Sequence, residues 1–296
     1  RPPRSTQGVS SAASDVYKRQ FLYLLFFNHC LNAQTDLLEA IDYQDSSQGV
    51  SAAFKSLKVV NFESTKLVSA KELSFSVSHR FGSIKYGFDN FFGLDDAVTR
   101  LNFIYGLNSF SNISFSRTSY KKTFDLGFKS RLIKQSENFP FTLVYYCSIT
   151  LDSSLEKELY PTLSFSNRMG YFNQLIISKK FNNALSLLFS PTIFHENTVV
   201  FDQQENTQYA LSLGGRYKVS KRTSINIDYG YHFNRADASI FNNPLGIGVD
   251  IETGGHVFQL LFSNSQPMNS INAMTAAAGD WSDGDVYFGF NLFRTF

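Results

Sequence analysis

The chain has 296 residues, of which 43% are hydrophobic, 16% aromatic and only 18% charged. Soluble domains carry roughly 25% charged residues, and no stretch here approaches the ~18 uncharged apolar residues that a membrane helix needs. The formal net charge of +2 gives no sign of nucleic-acid binding. Two fold classes remain, a soluble β-sandwich and a membrane β-barrel.

The beginning of the chain is predicted to lie outside the folded domain. Residues 1–20 have no apolar period and resemble translated sequencing-adapter read-through, so we exclude them from the fold. Residues 21–34 combine an apolar run with a short polar exit, which predicts a secretory signal peptide cut after Ala33 or Gln34. This ending resembles the signal peptides of Bacteroidota.

A lipoprotein anchor at Cys30 is the alternative to cleavage, although His29 and Asn28 stand where small residues are needed. Residues 1–20 hold four basic residues and one acidic residue, so the chain without its leader has a formal charge of −1. Without Cys30, Cys147 is the one remaining cysteine, which excludes an internal disulfide. A lone thiol in a strand is most often a small apolar packing residue.

Residues 35–49 are predicted to form an N-terminal linker with a short helix, Asp36–Asp42. From Val50 onward, apolar residues recur at every second position, as in strands with one apolar face. Residues 50–296 are therefore predicted to form one barrel domain.

The alternation predicts about 12 strands, within a range of 10–14, in a single antiparallel up-and-down transmembrane β-barrel. Residues 52–60 read as a first strand, and one or two strands are predicted near Phe165 and at 171–177. The other predicted strands are 73–81, 101–107, 124–128, 141–149, 185–193, 209–217, 225–233, 256–262 and 285–296.

The connections differ in length, as expected for a barrel with short turns at one end and long loops at the other. Tight turns are predicted at Ser136–Pro140 and Val219–Thr223. Longer polar connections are predicted at Asp152–Pro161, Glu196–Thr207 and Arg235–Pro244. In the last loop, residues 267–278 favour a short helix that ends at Gly279.

The residues on the polar faces favour the membrane barrel over the sandwich. A soluble sandwich needs charged outer faces rich in Lys and Glu, whereas these faces hold mainly Ser, Asn, Gly and isolated charges. Tyr and Phe also cluster near strand ends, as in the aromatic girdles of membrane barrels. The apolar faces are therefore predicted to point to lipid.

The last strand carries an apolar row, Phe288, Phe290 and Leu292, and the chain ends in Phe296. An aromatic end of this kind resembles the signal by which bacterial outer-membrane barrels are recognised for insertion. It predicts outer-membrane lipid and the barrel-assembly machinery as partners. Arg294 interrupts the row, but its guanidinium can reach the headgroups at the rim.

Charged residues on the polar strand faces are the candidate lumen residues. Such a cluster can line a path for ions or solutes, or it can form a salt-bridged plug that holds the wall. The candidates are Arg80, Arg100, Asp125, Lys129, Arg131, Arg216 and Asp228.

Three groups suggest other chemistry, each with a simpler explanation. A lipid esterase would need a His beside a Ser on the lipid face, and the two candidates are His79 with Ser78 and His256 with Ser263 and Asn264. Three carboxylates, Asp280, Asp283 and Asp285, offer oxygen ligands for Ca²⁺ but lack EF-hand spacing. Hydrogen bonding within the barrel explains the histidines better, and an Asp/Gly turn explains the carboxylates better. We predict no catalytic residue and no cofactor.

Four segments stand out when they are taken together: Ser78–Gly82, Phe92–Asp95, Gly254–Leu260 with Ser263–Ser265, and Gly284–Asn291. In combination they resemble an uncharacterised β-barrel family of Bacteroidota, a family of domains of unknown function. The resemblance runs from about Val50 to Phe296 and implies an outer-membrane barrel without an assigned substrate.

The predicted function is that of an outer-membrane barrel with a structural or passive, porin-like transport role and no enzymatic activity. The alternative is an accessory barrel of a secretion or surface-attachment machine that docks an envelope protein through its loops and the segment before Val50. A lipid esterase is the least favoured of the three.

Overall fold

A closed antiparallel barrel of twelve strands, each paired with its neighbours in sequence, forms the main body of the protein. The computed structural model describes residues 53–158 and 161–296, and the predicted leader and short N-terminal helix lie outside them. The strands are β1 (Leu73–Ser83), β2 (Val98–Asn108), β3 (Ser111–Thr118), β4 (Phe124–Ile133), β5 (Thr142–Leu151), β6 (Met169–Lys180), β7 (Leu185–Glu196), β8 (Thr207–Lys218), β9 (Thr223–His232), β10 (Leu245–Thr253), β11 (His256–Ser263) and β12 (Tyr287–Thr295).

The barrel closes where β1 pairs with β12, with Ser74 opposite Thr295 and His79 opposite Phe290. Closure leaves no unpaired strand edge along this seam. The predicted up-and-down architecture and strand number are confirmed.

Apolar side chains on the outside and polar side chains inside distinguish the wall from that of a soluble β-protein. Along β9, Ile225, Ile227 and Tyr231 are exposed, whereas the alternate residues Asn226 and Asp228 are buried. Because side chains alternate between the two faces of a strand, this pattern places the polar row in the lumen.

The two ends of the barrel differ in the length of their connections. We call the end with the shorter connections the turn end; its turns are 109–110, 134–141, 181–184, 219–222 and 254–255. The opposite, loop end carries the connections 84–97, 119–123, 152–168, 197–206, 233–244 and 264–286. The predicted turns and long connections are confirmed at these positions.

The predicted helix of the last loop is present as α1, Ser270–Thr275, with the Asn269 side chain accepting a hydrogen bond from the Asn272 amide at its start. Short 3₁₀ segments occur at Ile84–Gly93, which contains a kink, and at Tyr120–Lys122, Ser166–Arg168 and Trp281–Asp283. None of the helices in the described residues is long and apolar enough to cross a bilayer.

Two predicted strands are wrong, and two strands of the wall were missed. The predicted first strand, residues 52–60, is not part of the wall, because its described residues lie inside the barrel. Phe165 lies in the connection between β5 and β6. Two strands, β3 and β10, were not among those predicted, so the correct total came partly from compensating errors.

Candidate functional site

Residues 53–68, which we call the inner segment, run through the lumen. Its central part, residues 57–64, folds back as a hairpin, with the Val59 amide donating to the Phe62 carbonyl at 2.8 Å and the Ser64 amide to the Leu57 carbonyl at 3.0 Å. Phe54, Val59, Val60 and Phe62 are all buried. The lumen is therefore filled by the chain's own N-terminal region.

Asp228 of β9 holds the tip of this hairpin. Its Oδ2 accepts from the backbone amides of Val60, Asn61 and Phe62 at 3.0, 2.7 and 3.0 Å, and its Oδ1 accepts from Asn61 Nδ2 at 3.0 Å. Three consecutive amides converging on one oxygen form an anion-binding concavity. The Asp228 carboxylate thus provides the hydrogen-bond acceptor for these three backbone amides of the hairpin turn.

A row of polar side chains from β11 and β12 holds the other side of the tip. Gln259 Nε2 donates to the Val59 carbonyl at 2.7 Å, and Asn291 Nδ2 donates to Gln259 Oε1 at 2.6 Å. Ser263 Oγ donates to Asn61 Oδ1 at 3.0 Å. These three hydrogen bonds fix the tip of the hairpin on the side of β11 and β12.

An ionic cluster fixes the middle of the hairpin to β4. Lys129 Nζ lies 2.6 Å from Glu63 Oε2 and donates to the Ser64 carbonyl at 3.1 Å. Lys58 Nζ, 3.9 Å from Glu63 Oε1, donates to the carbonyls of Asn61 and Met268 at 3.0 Å each. Two ammonium groups therefore offset the buried Glu63 carboxylate.

An apolar half of the lumen wall, contributed by β5 to β8, packs against the inner segment. On these four strands, residues such as Val144, Phe172, Ile176 and Leu188 point inward and are buried in one cluster with Phe54. Burying a side chain of this size contributes about 1.5–3 kcal/mol. This contact makes the occupied lumen the stable state.

The last loop closes the lumen from the loop end. Arg100 Nη1 donates to the Met268 carbonyl at 2.9 Å, just before α1. At Gly230 of β9, an added Cβ would lie 2.7 Å from the Phe62 ring and 2.8 Å from the Met274 methyl. The hairpin and α1 therefore meet against the same glycine.

Two cavities of different size lie in the lumen and at its loop end. A cavity of about 30 Å³ lies between the hairpin and the wall near Arg100 and Lys129, enough for about one water molecule. A larger cavity of about 550 Å³, which we call the vestibule, opens at the loop end above Ile271 and Asn272 of α1.

Six of the seven predicted lumen charges are buried on the inner face of the wall. Lys129 and Asp228 bind the hairpin, and Arg100 binds the last loop while lying 3.8 Å from Asp125. Arg216 pairs with Glu252 at 3.1 Å, and Glu252 lies 3.8 Å from Lys55 of the inner segment.

The remaining two predicted lumen charges have hydrogen-bond partners on the barrel itself. Arg80 donates to Asn291 Oδ1 at 3.1 Å within the wall. Arg131 is half-buried at the turn end and donates to the Ser109 carbonyl at 2.6 Å.

The predicted insertion residues lie on or just beyond β12. Phe288, Phe290 and Leu292 occupy its outward positions, and Phe296 follows the strand and is exposed. The Arg294 guanidinium lies 4.6 Å from the centre of the Phe296 ring. Their role as a signal stays a prediction.

The histidines considered for an esterase have other surroundings. His79 Nδ1 lies 2.8 Å from Thr99 Oγ1, and its ring stacks on Phe290. Ser263 points into the lumen toward Asn61, away from the face on which a lipid esterase would act.

Two of the three carboxylates considered for Ca²⁺ have separate partners. Asp280 accepts from the Ser282 amide at 2.8 Å, as in an Asx turn, and Asp283 pairs with Lys85. Across residues 53–158 and 161–296, no group of three His, Cys, Asp or Glu side chains is arranged to hold a metal ion.

The sequence prediction missed the residues of the inner segment that bind the wall, above all Lys58, Asn61 and Glu63. One signal was present. Val59 and Val60 are adjacent apolar residues, whereas a strand with one lipid-facing side alternates apolar and polar residues. In the structure both valines are buried. Gln259 and Asn291 were also missed as hairpin partners.

Comparison with known proteins agrees with the fold. The model of a family described as "Membrane bound beta barrel domain (DUF5777)" matches residues 54–296. Curated proteins give no significant match.

Among solved structures, the chain resembles the NanC porin with a TM-score of 0.49 and 9% identity, over 75% of this chain and 98% of that one. The chain resembles the KdgM porin with a TM-score of 0.48 and 10% identity, over 75% of this chain and 99% of that one. It resembles an outer membrane channel from Pseudomonas putida F1 with a TM-score of 0.45 and 13% identity, over 78% of this chain and 98% of that one. The family match spans the inner segment from Phe54 as well as all twelve strands, and the chain belongs to this family of membrane-bound β-barrel domains.

Proposed function

We propose that the protein is an outer-membrane barrel with a porin-like role, closed at rest by its inner segment and open to passive solute transport when the hairpin is displaced. The turn end would then face the periplasm, as the short turns of such barrels do. The motifs and the leader ending described above favour an origin in Bacteroidota. The single observation that carries the proposal is the hairpin held at Asp228.

The wall that the hairpin covers supports a water-filled open state. On strands β8 to β12, β1 and β2, the inward-facing residues are mostly Ser, Asn, Gln, Arg and Asp, including Ser76, Ser78 and Ser212. Such a face suits an aqueous lumen, as in porins. Without the inner segment, these residues would line a polar path next to the apolar half at β5 to β8.

The connectivity also supports displacement of the inner segment. It leads directly into the wall at β1, and its described residues contribute no strand to the closed sheet. Its contacts are hydrogen bonds, ion pairs and apolar packing, so it can leave without breaking a strand pair. The extensive packing makes spontaneous opening rare, and the resting role is therefore structural.

Liposome swelling with the refolded protein tests this proposal. The full chain is compared with a variant in which residues 57–64 are replaced by a Gly/Ser linker of equal length. The variant should admit small sugars far faster than the full chain, while both show heat-modifiable migration on gels. Equal and negligible flux in both proteins, at every solute size, would overturn transport and leave the structural role.

Docking of an envelope protein is a second candidate, favoured by loop 84–97. Phe88 is 80% exposed and Phe91 59%, and Phe91 and Phe92 both have positive φ, 48° and 55°. Such strain in non-glycine residues costs about 1–3 kcal/mol each and concentrates at functional sites. Asn90 braces the loop by donating to the Ser83 carbonyl at 3.0 Å.

The acidic residues beside these rings, Asp89, Asp95 and Asp96, favour a protein surface flanked by Lys or Arg over anionic lipid. A photo-crosslinker at Phe88 in whole cells should give a discrete protein adduct, which a variant with Phe91→Ala and Phe92→Ala should lose. Adducts to lipid alone would contradict docking.

A further inference from the structure

The vestibule at the loop end has the chemistry of a binding site. Its volume of about 550 Å³ falls within the range of small-molecule pockets, roughly 300–1,000 Å³. Helix α1 separates the vestibule from the lumen, and it contributes Ile271 and Asn272 to the vestibule lining. The vestibule can therefore be occupied while the lumen is closed. The proposed transport does not depend on what binds here.

Two cations and two carboxylates line this cavity. Lys121 comes from the β3–β4 connection and Arg168 from the segment before β6, while Asp152 and Glu196 stand at the loop ends of β5 and β7. In the part of the chain that the structure describes, none of the four forms a salt bridge. Opposite charges that share a cavity without pairing are available to a ligand that carries both.

The hydrogen bonds of these groups leave capacity for a ligand. Asp152 accepts through Oδ1 from the Ser154 amide and hydroxyl at 2.9 and 2.6 Å, which leaves Oδ2. Glu196 accepts through Oε2 from Gln208 Nε2 at 2.9 Å, which leaves Oε1. The backbone of Arg168 is bonded to Asp152 and Phe165, but its guanidinium has no hydrogen-bond partner among the described residues.

Apolar side chains complete the lining. Leu155, Leu163, Val199, Val200 and Ile271 lie around the charged groups. A neutral sugar would leave the charges unpaired, and a simple anion would leave the carboxylates and the apolar lining unused. A ligand with a carboxylate, an ammonium group and apolar side chains matches all three features.

We propose that the vestibule binds a short peptide with free termini, its carboxylate at Arg168 and Lys121 and its ammonium group at Glu196 and Asp152. Charge-assisted hydrogen bonds at both ends give selectivity for the doubly charged form. Removal of either terminal charge leaves the matching protein groups unpaired, which costs affinity.

Isothermal titration of the refolded full chain in detergent tests the inference. The probe is the dipeptide Ala-Leu, compared with its N-acetyl derivative and its C-terminal amide. The free dipeptide should bind at least 10-fold more tightly than either blocked form. Equal affinities for the three, or no heat of binding with the free dipeptide at millimolar concentration, would overturn the proposal.

Two variants assign the ends of the peptide. Arg168→Gln should remove the preference for the free carboxylate over the amide, and Glu196→Gln the preference for the free ammonium group over the acetyl form. Lys157→Gln, an exposed residue of the same connection that does not line the cavity, is the matched control and should behave as wild type. Heat-modifiable migration of each variant separates loss of binding from loss of folding. Unchanged preferences in both folded variants would contradict the assignment.

Discussion

Asp228 and Asn61 are joined twice, through the backbone amide of Asn61 at 2.7 Å and through its side-chain amide at 3.0 Å. One residue belongs to the wall and the other to the hairpin tip, and 167 positions of sequence separate them. This pair fixes the position of the hairpin in the lumen.

Replacement of Asp228 should therefore release the hairpin. Asp228→Ala leaves the amides of Val60, Asn61 and Phe62 buried without an acceptor, at about 1–3 kcal/mol for each donor. We expect solute flux through liposomes to rise at least 10-fold over wild type. Asp125→Ala removes a buried carboxylate whose partners Arg100, Ser116 and Thr150 all lie on the wall, so it should lower stability and leave flux low.

Acid should weaken the closed state through Glu63. Burial alone would raise the pKa of this carboxyl, but the ammonium groups of Lys129 and Lys58 outweigh burial and hold it below its usual value of 4.5. A carboxyl with a lowered pKa stabilises the closed state above pH 4.5 and loses this contribution as pH falls through the lowered value.

Flux measured from pH 7 to pH 3 should accordingly increase only below about pH 4.5. Glu63→Gln should remove this dependence and raise flux at neutral pH. A wild-type profile that is flat across the range, or one that Glu63→Gln leaves unchanged, would show that the ion pairs do not hold the hairpin.

Gly106 should be required where the inner segment joins β1. The Gly106 amide donates to the Glu72 carbonyl at 3.0 Å, and an added Cβ would lie 1.9 Å from the Ser69 carbonyl oxygen. Because backbone must move, Gly106→Ala should cost about 1–3 kcal/mol in unfolding free energy. Gly254→Ala, with open space around its Cβ, should unfold within about 0.5 kcal/mol of wild type in a denaturant titration.

Arg216 should brace the wall in the closed protein and influence ions in the open one. Arg216→Leu leaves Glu252 without its buried partner, so unfolding free energy should fall while the full chain stays closed. When residues 57–64 are replaced by the linker, the same substitution should reduce anion preference, seen as a shift in reversal potential. No shift in that background would place Arg216 in a purely structural role.

Much of the wall was predictable because lipid and lumen impose opposite demands on alternate residues. Strands such as β9, with Ile225, Ile227 and Tyr231 outward, show this alternation clearly. In β3 only Ile113 and Phe115 are large and apolar, and in β10 the glycines at 246 and 248 weaken the contrast between faces, so neither strand was predicted.

The filled lumen was harder to predict, because its contacts join residues far apart in sequence. An apolar residue of 52–60 such as Phe54 can meet either lipid or the inner face of β5 to β8, and its apolar character does not distinguish the two. Sequence spacing likewise does not reveal that Asp228 accepts hydrogen bonds from backbone amides of the hairpin. Nor does it reveal that Lys129 pairs with Glu63. The seven predicted charges included Lys129 and Asp228, the two charged wall residues that bind the hairpin, but their partners on the hairpin were not predicted.

A reversible crosslink between the inner segment and the wall tests the central claim most directly. Thr65 Oγ1 and Ser178 Oγ of β6 lie 2.8 Å apart, so cysteines at these two positions are placed to form a disulfide. The variant carries Thr65→Cys and Ser178→Cys with Cys30 and Cys147 replaced by Ser, together with Asp228→Ala to favour opening. Liposome flux should be negligible when the protein is oxidised and should appear after reduction. Equal flux in the two redox states, with the crosslink verified, would contradict a lumen closed by a displaceable inner segment.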